Sequence, residues 1–134
     1  EILELIEKFG TKNIIYMHCT SAYPCKPENI NFPRFLELKK KVETIGYSGH
    51  LSGVDDAKIA FALGAKYVEK HFTIDTNLPG RDNKFAILPA DLKNLDNFRN
   101  NFIKMVEDKG LDFQKSEKDI FENYRGRWNK HGKI

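Results

Sequence analysis

Apolar residues along this chain recur in two rhythms that alternate from one end to the other. Ile2, Leu5, Ile6 and Phe9 follow helical spacing, and Gly10 stands where such a helix ends. Asn13 to His18 is a short, β-rich apolar run, which predicts a buried strand. A loop containing Pro24 and Pro27 follows, and helical spacing returns at Phe35, Leu38 and Val42, with Pro33 suited to the first turn. Thr44 to Tyr47 predicts a second strand, Asp55 to Leu63 an Ala-rich helix stopped by Gly64, and Lys66 to Phe72 a third strand. A long helix is expected from about Pro89 to Asp108, with Leu92, Leu95, Phe98, Phe102 and Met105 on one face. Beyond Gly110 no clean periodicity remains, so residues 111–134 read as an irregular tail, basic at Arg125, Arg127, Lys130 and Lys133.

Helix and strand in strict alternation predict an α/β fold of successive parallel βαβ units. Three such strands do not close a barrel alone. They fit either one edge of a doubly wound sheet or the last part, about three βα units, of a (β/α)8 TIM barrel. In such a barrel functional groups gather on the loops after the strands. His18, Ser48, His50, His71 and Asp75 all fall there. No Gly-rich dinucleotide fingerprint follows any strand, which weakens a nucleotide-binding reading.

Composition narrows the class. The chain has 134 residues, 40% hydrophobic and 31% charged, enough for one globular domain rather than a disordered segment. A net charge of +3 with dispersed basic residues does not argue for nucleic acid, and the basic tail reads as solvated surface. No apolar run approaches the roughly 20 residues that span a bilayer. Cys19 and Cys25 match neither a disulfide framework nor a common zinc spacing, so a reduced, cytoplasmic setting is expected. The chain opens without Met in what reads as mid-helix, which predicts a fragment.

The candidate chemistry lies at strand ends. His50 and His71 end neighbouring strands, where two imidazoles can converge on one ion such as Mn, Fe, Co or Zn and leave positions open for substrate. Taken singly, a strand-end His is more often a packed or hydrogen-bonded residue, and His18 is read that way. Period-2 alternation puts Tyr67, Glu69 and His71 on one face of the third strand. A carboxylate inside a buried strand needs a partner. Glu69 therefore orients His71 or a lysine, handles a proton, or forms a structural ion pair. Ser48, Thr20 and Ser21 lie in turns whose hydroxyls and N–H groups suit phosphate, a weak signal because such residues are common in turns. Asp82 follows a Pro-Gly turn, where its carboxylate either meets sugar hydroxyls or bonds its own backbone.

Taken in order, four segments resemble the sialic acid synthase family: His18-Cys19-Thr20-Ser21-Ala22-Tyr23-Pro24, Gly46-Tyr47-Ser48-Gly49-His50, Glu69-Lys70-His71-Phe72-Thr73 and Pro79-Gly80-Arg81-Asp82. The resemblance runs from about Tyr16 to the helix after Pro89. It implies that residues 1–110 are the C-terminal part of a TIM-barrel synthase domain. It also implies the condensation of phosphoenolpyruvate with an N-acylated hexosamine of the N-acetylmannosamine type, giving a sialic or related nonulosonic acid and phosphate. By that resemblance His50 and His71 hold a divalent metal, manganese or magnesium. Ser48, Ser21 and Tyr23 line the phosphoenolpyruvate site, and Asp82 binds the sugar. Glu69 is taken as catalytic from its strand position, not from the resemblance. The implied partners are the remainder of the barrel and a second copy in a homodimer.

Three departures qualify it. Gly49 stands where many members have Asp, which puts a contact behind the metal site in doubt. Ser21 stands where some have Asn. The first five strands, with the family's phosphate-binding lysine and acid/base carboxylates, are absent, as is the antifreeze-like domain that many members append. The competing reading is a non-catalytic binding or assembly module that keeps the barrel edge without the chemistry.

Overall fold

The computed structural model describes residues 2–124. The basic cluster from Arg125 to Lys133 lies outside the described residues. The elements run α1 (Ile2–Phe9), β1 (Ile15–Cys19), α2 (Phe32–Lys39), β2 (Thr44–Gly49), α3 (Asp55–Ala62), β3 (Tyr67–Lys70), α4 (Pro89–Met105) and α5 (Lys118–Asn123). The three strands form one parallel sheet in the order β1-β2-β3. Ile15 pairs with Thr44 and Cys19 with Ser48, while Ser48 pairs with Glu69 and Gly49 with Lys70. All the described helices are too short or too polar to cross a membrane.

Local chemistry explains where the elements start and stop. Gly10 takes φ +71° and its N–H caps α1 on the Ile6 carbonyl at 2.8 Å, a backbone shape glycine adopts without a Cβ penalty. Asn13 also has positive φ, 63°, so β1 begins at Ile15 rather than Asn13. The Asn31 side chain accepts the Arg34 N–H at 3.3 Å and caps α2, with Pro33 in the first turn. β2 runs two residues past Tyr47, through Ser48 to Gly49, and is the most buried strand. β3 is shorter than its apolar run. Phe72 forms a lone bridge with Ile87 instead, through Ile87 N–H to the His71 carbonyl at 2.8 Å and Thr73 N–H to the Ile87 carbonyl at 3.0 Å.

The core lies between the sheet and its helices. Phe35 is fully buried among Ile30, Leu38, Ile45, Tyr47, Ala60 and Ala65, and a second cluster joins Val54, Ala57, Ile87 and Leu95. The long helix departs from expectation: of its predicted apolar face only Leu95 is buried, while Leu92 is 48% and Met105 80% exposed. Length accounts for the far end: α4 has seventeen residues and α3 eight, so a helix of about 25 Å carries Met105 beyond its support. Ile15, Tyr67 and Phe72 are likewise exposed along the outer strands. The segment read as irregular contains α5, where Phe113 and Phe121 approach ring to ring at 5.0 Å.

His18 is a packed histidine, as its sequence context favours. It is 3% exposed, lies against the Phe35 and Tyr47 rings, and has both nitrogens engaged. Nε2–H donates to the Ile30 carbonyl at 2.7 Å and Nδ1 accepts from Arg34 Nε at 3.4 Å. Burial pushes its pKa below the ordinary value; the Ile30 contact opposes this and the Arg34 charge adds to it. The unfolded chain therefore takes up a proton on His18 from about pH 6.5 downward, whereas the folded chain does so only at lower pH. The contribution of neutral His18 is fully present above that value and is lost as pH falls through the folded one. Urea midpoints measured between pH 7.5 and pH 5 are expected to fall, and a His18→Gln variant to show a shallower acid dependence. Parallel pH profiles in the two proteins contradict the assignment.

Candidate active site

Parallel pairing of β2 and β3 sorts the side chains at their tips onto two faces. Successive residues point to opposite sides, so Ser48 and Glu69 share the face away from the helices, and Lys70 takes the helix side. Ser48 Oγ donates to Glu69 Oε1 at 2.8 Å. Glu69 is exposed rather than buried, and its partner is this serine, neither His71 nor a lysine.

One step further along, the two imidazoles stand with ring centroids 5.3 Å apart. His50 is 6% exposed and held by main chain on both sides. Its Nδ1 lies 3.0 Å from the Thr20 carbonyl, and its own carbonyl accepts the Cys25 N–H at 2.8 Å. A carbonyl only accepts, so Nδ1 carries the proton and Nε2 keeps a lone pair. His71 Nδ1 faces Asp82 Oδ2 at 3.5 Å, which favours the same tautomer. Neither Nε2 has a protein partner among the described residues. Oxygen partners on Nδ1 are the usual way a protein orients ligating imidazoles, so this pair suits a divalent ion. No cluster of three or more His, Cys, Asp or Glu side chains among the described residues stands ready to hold a metal, so such an ion takes two ligands from here and keeps open positions.

The other predicted residues fall around this pair at different distances. The Tyr23 ring packs on His50 at 4.2 Å and meets His71 at 6.0 Å. Phe85, which sequence reasoning did not single out, closes the box at 5.1 Å from His71 and 5.9 Å from Tyr23. Ser21 is exposed on the loop after β1, its hydroxyl 3.8 Å from Cys19 Sγ, which in turn lies 3.9 Å from His50 Nδ1. Asp82 sits on a single 3-10 turn, Asp82–Lys84, that follows the Pro-Gly loop. Ser48 and Glu69 form the rung beneath.

On the helix side lies a cluster the sequence did not reveal. Lys70 Nζ is 3.1 Å from both Asp56 oxygens and 2.6 Å from the Leu51 carbonyl. Tyr47 OH donates to Asp56 Oδ2 at 3.0 Å, and the Ala57 N–H caps Oδ1 at 2.9 Å. Lys70 and Asp56 side chains are 4% and 0% exposed. Burial, then the nearby Asp56 charge, pushes the Tyr47 phenol far above its ordinary value, so it stays a donor. A Cβ on Gly49 would fall inside contact distance of the Asp56 carboxylate and 2.6 Å from Tyr47 Cε1. Glycine at 49 is what leaves room for the cluster. The available signal was Lys70 itself: a lysine on the helix-facing phase of a strand requires a carboxylate.

With this geometry in hand, the likeness to known proteins is direct. The model of the NeuB family matches residues 1–110. The chain belongs to the NeuB family. It is 40% identical over 98 residues to the N,N'-diacetyllegionaminic acid synthase of Campylobacter jejuni, covering 71% of this chain and 29% of that protein. It is 40% identical over 85 residues to human N-acetylneuraminate-9-phosphate synthase, covering 62% of this chain and 24% of that one. The crystal structure of an N-acetylneuraminic acid synthetase from Leptospira borgpetersenii, in complex with citrate, superposes with a TM-score of 0.68 at 34% identity, over 87% of this chain and 41% of that chain. The three βα units are thus part of a TIM barrel, and the chain spans under a third of the curated relatives just described.

Adding a methyl group at Gly49 is expected to lower stability by about 1–3 kcal/mol, the usual range for overpacking. Gly46→Ala meets the Met17 and Ile15 side chains at 3.1 to 3.3 Å, looser than the contacts at Gly49, and is expected to cost less. Denaturant titration of both variants checks this; an equal or smaller loss for Gly49→Ala means that Asp56 leaves its place at no cost.

Proposed function

We propose that this chain supplies the metal-binding and part of the substrate-binding face of a nonulosonic acid synthase. The reaction is condensation of phosphoenolpyruvate with an N-acylated hexosamine. The observation that carries the reading is the His50–His71 pair, with both Nδ1 atoms turned to oxygen partners and both Nε2 atoms without one. Membership of a family whose relatives make legionaminic, pseudaminic and neuraminic acids supports the product class.

The bond changes are as follows. Carbon 3 of phosphoenolpyruvate attacks the aldehyde carbon of the open-chain sugar, forming the C–C bond, and the aldehyde oxygen takes a proton to become a hydroxyl. Water adds to the electron-poor carbon 2. Phosphate then leaves with cleavage of its C–O bond, and a ketone remains. His50 and His71 would hold a divalent ion, manganese or magnesium, which would supply Lewis-acid polarisation of the aldehyde. Ser48 and Ser21 hydroxyls bind the phosphate, Tyr23 forms an aromatic wall, and Asp82 binds acceptor hydroxyls. Glu69 accepts the single Ser48 O–H in the unliganded protein; on binding, that O–H turns to the phosphate and leaves Glu69 to manage a proton there. The groups that complete the reaction come from the rest of the barrel, and the assembly is a homodimer.

The competing reading, a module without catalysis, draws on Gly49 and on the absent strands. The packing of Asp56 gives Gly49 a structural reason that serves either reading. The test is phosphate release by the protein expressed from its complete reading frame, with phosphoenolpyruvate, N-acetylmannosamine and Mn²⁺. Release is expected to stop on chelation, return with Mn²⁺, and fall at least about 100-fold in a His50→Ala, His71→Ala variant, beyond the 10–100-fold that loss of an outlying partner costs. A folded protein that releases no phosphate with any N-acylated hexosamine points to the non-catalytic module.

A further inference from the structure

We propose that the buried Asp56–Lys70–Tyr47 cluster is the positioning element that decides which face of the sheet the two histidines occupy. The inference rests on the functional reading above, which makes the histidines the working groups. Its basis is the place of each contact in the chain. Lys70 directly precedes His71, Gly49 directly precedes His50, and Leu51, whose carbonyl Lys70 also binds at 2.6 Å, directly follows it. One cluster thus grips the residues next to both imidazoles, from the opposite side of the sheet.

A strand slipped by one residue turns every side chain to the other face. The face that meets α3 carries a carboxylate with no exposed surface. In the observed register it receives a cation, Lys70. A slip in one direction brings Glu69 there, setting two carboxylates together, and a slip in the other brings His71 out of the site. Only one register satisfies Asp56, and it is the one that keeps Glu69 beside Ser48 and His71 beside His50. Buried ion pairs contribute little net stability against apolar groups of similar size, and fixing register is the best attested reason for keeping one. Tyr47 and the Ala57 N–H complete the hydrogen bonding of Asp56, so the pair is held at one place rather than free to exchange.

The test separates positioning from stability in the protein made from its complete reading frame. An apolar variant, Tyr47→Phe with Asp56→Leu and Lys70→Met, removes the polarity and keeps the heavy-atom shapes, with methyls larger than the carboxylate oxygens. Asp56→Asn keeps the shape but removes the charge and turns one acceptor into a donor, leaving Lys70 without its anion. Melting curves report folding, Mn²⁺ titration reports the paired site, and ¹⁵N-resolved imidazole signals report the environment of each histidine without metal. Expected is a folded protein in which the His50 and His71 signals split or broaden and Mn²⁺ binds at least about tenfold more weakly, the scale on which partners of ligating groups act. Unchanged imidazole signals with Mn²⁺ affinity within about twofold of the parent overturn the proposal, as does loss of folding in both variants, which marks the cluster as structural. If the parent itself binds no Mn²⁺, the functional reading fails, and the imidazole signals alone decide the positioning role.

Discussion

Everything at the tip of this sheet depends on one stretch of parallel pairing, Ser48 against Glu69 and Gly49 against Lys70. Because neighbouring residues on a strand point opposite ways, this pairing has a wet side and a dry side. The wet side presents the Ser48–Glu69 hydrogen bond and, one step on, two imidazoles. The dry side is a closed set of contacts among Tyr47, Asp56 and Lys70. Neither side exists without the other, since moving one residue across the sheet moves its neighbours too. Gly49 lies under the dry side, and having no side chain it leaves room for Asp56 and Tyr47.

The dry side also bears a thermodynamic cost. Taking a lysine and an aspartate out of water costs several kcal/mol each before their attraction is counted. The cluster offsets this with five contacts of 2.6 to 3.1 Å around two charged groups, leaving no buried polar side-chain atom unpaired among the described residues. An apolar trio of the same volume would fill the space at least as well. What it would lack is a preference for one register, because leucine and methionine accept any apolar neighbour.

Much of the architecture was legible in the rhythm of apolar residues. The helix that stops at Gly10, the helix after Pro33 and the Ala-rich helix from Asp55 lie where the spacing puts them, because each stops or starts at a residue with its own backbone requirement. β1 starts late because Asn13 takes a left-handed conformation, a local choice that apolar spacing does not register. The exposed end of α4 was hidden for another reason: periodicity shows which face is apolar, not whether a partner is long enough to cover it. At the site, the histidines were visible because strand ends are special places in any parallel fold. Asp56 was not. An Asp in the first turn of a helix reads as a complement to the helix dipole, and its lysine lies fourteen residues away on a strand. Phe85 escaped similarly, since nothing about Phe after a turn indicates that it will meet an imidazole.

The two histidines are not equivalent, and the difference bears on Asp82. His50 is buried and fixed by backbone groups from the loop after β1, which leave its ring little freedom. The His71 side chain is 34% exposed and its carboxylate partner Asp82 54% exposed, and a contact so open to water contributes little. The orientation of His71 therefore rests mainly on the Phe85 ring and on the Ile87 N–H that holds its carbonyl. Asp82 is weakly committed. A carboxylate that loses little by turning from an imidazole toward a hydroxyl is suited to meet an incoming sugar, so its position beside His71 and its proposed role in binding the acceptor are compatible.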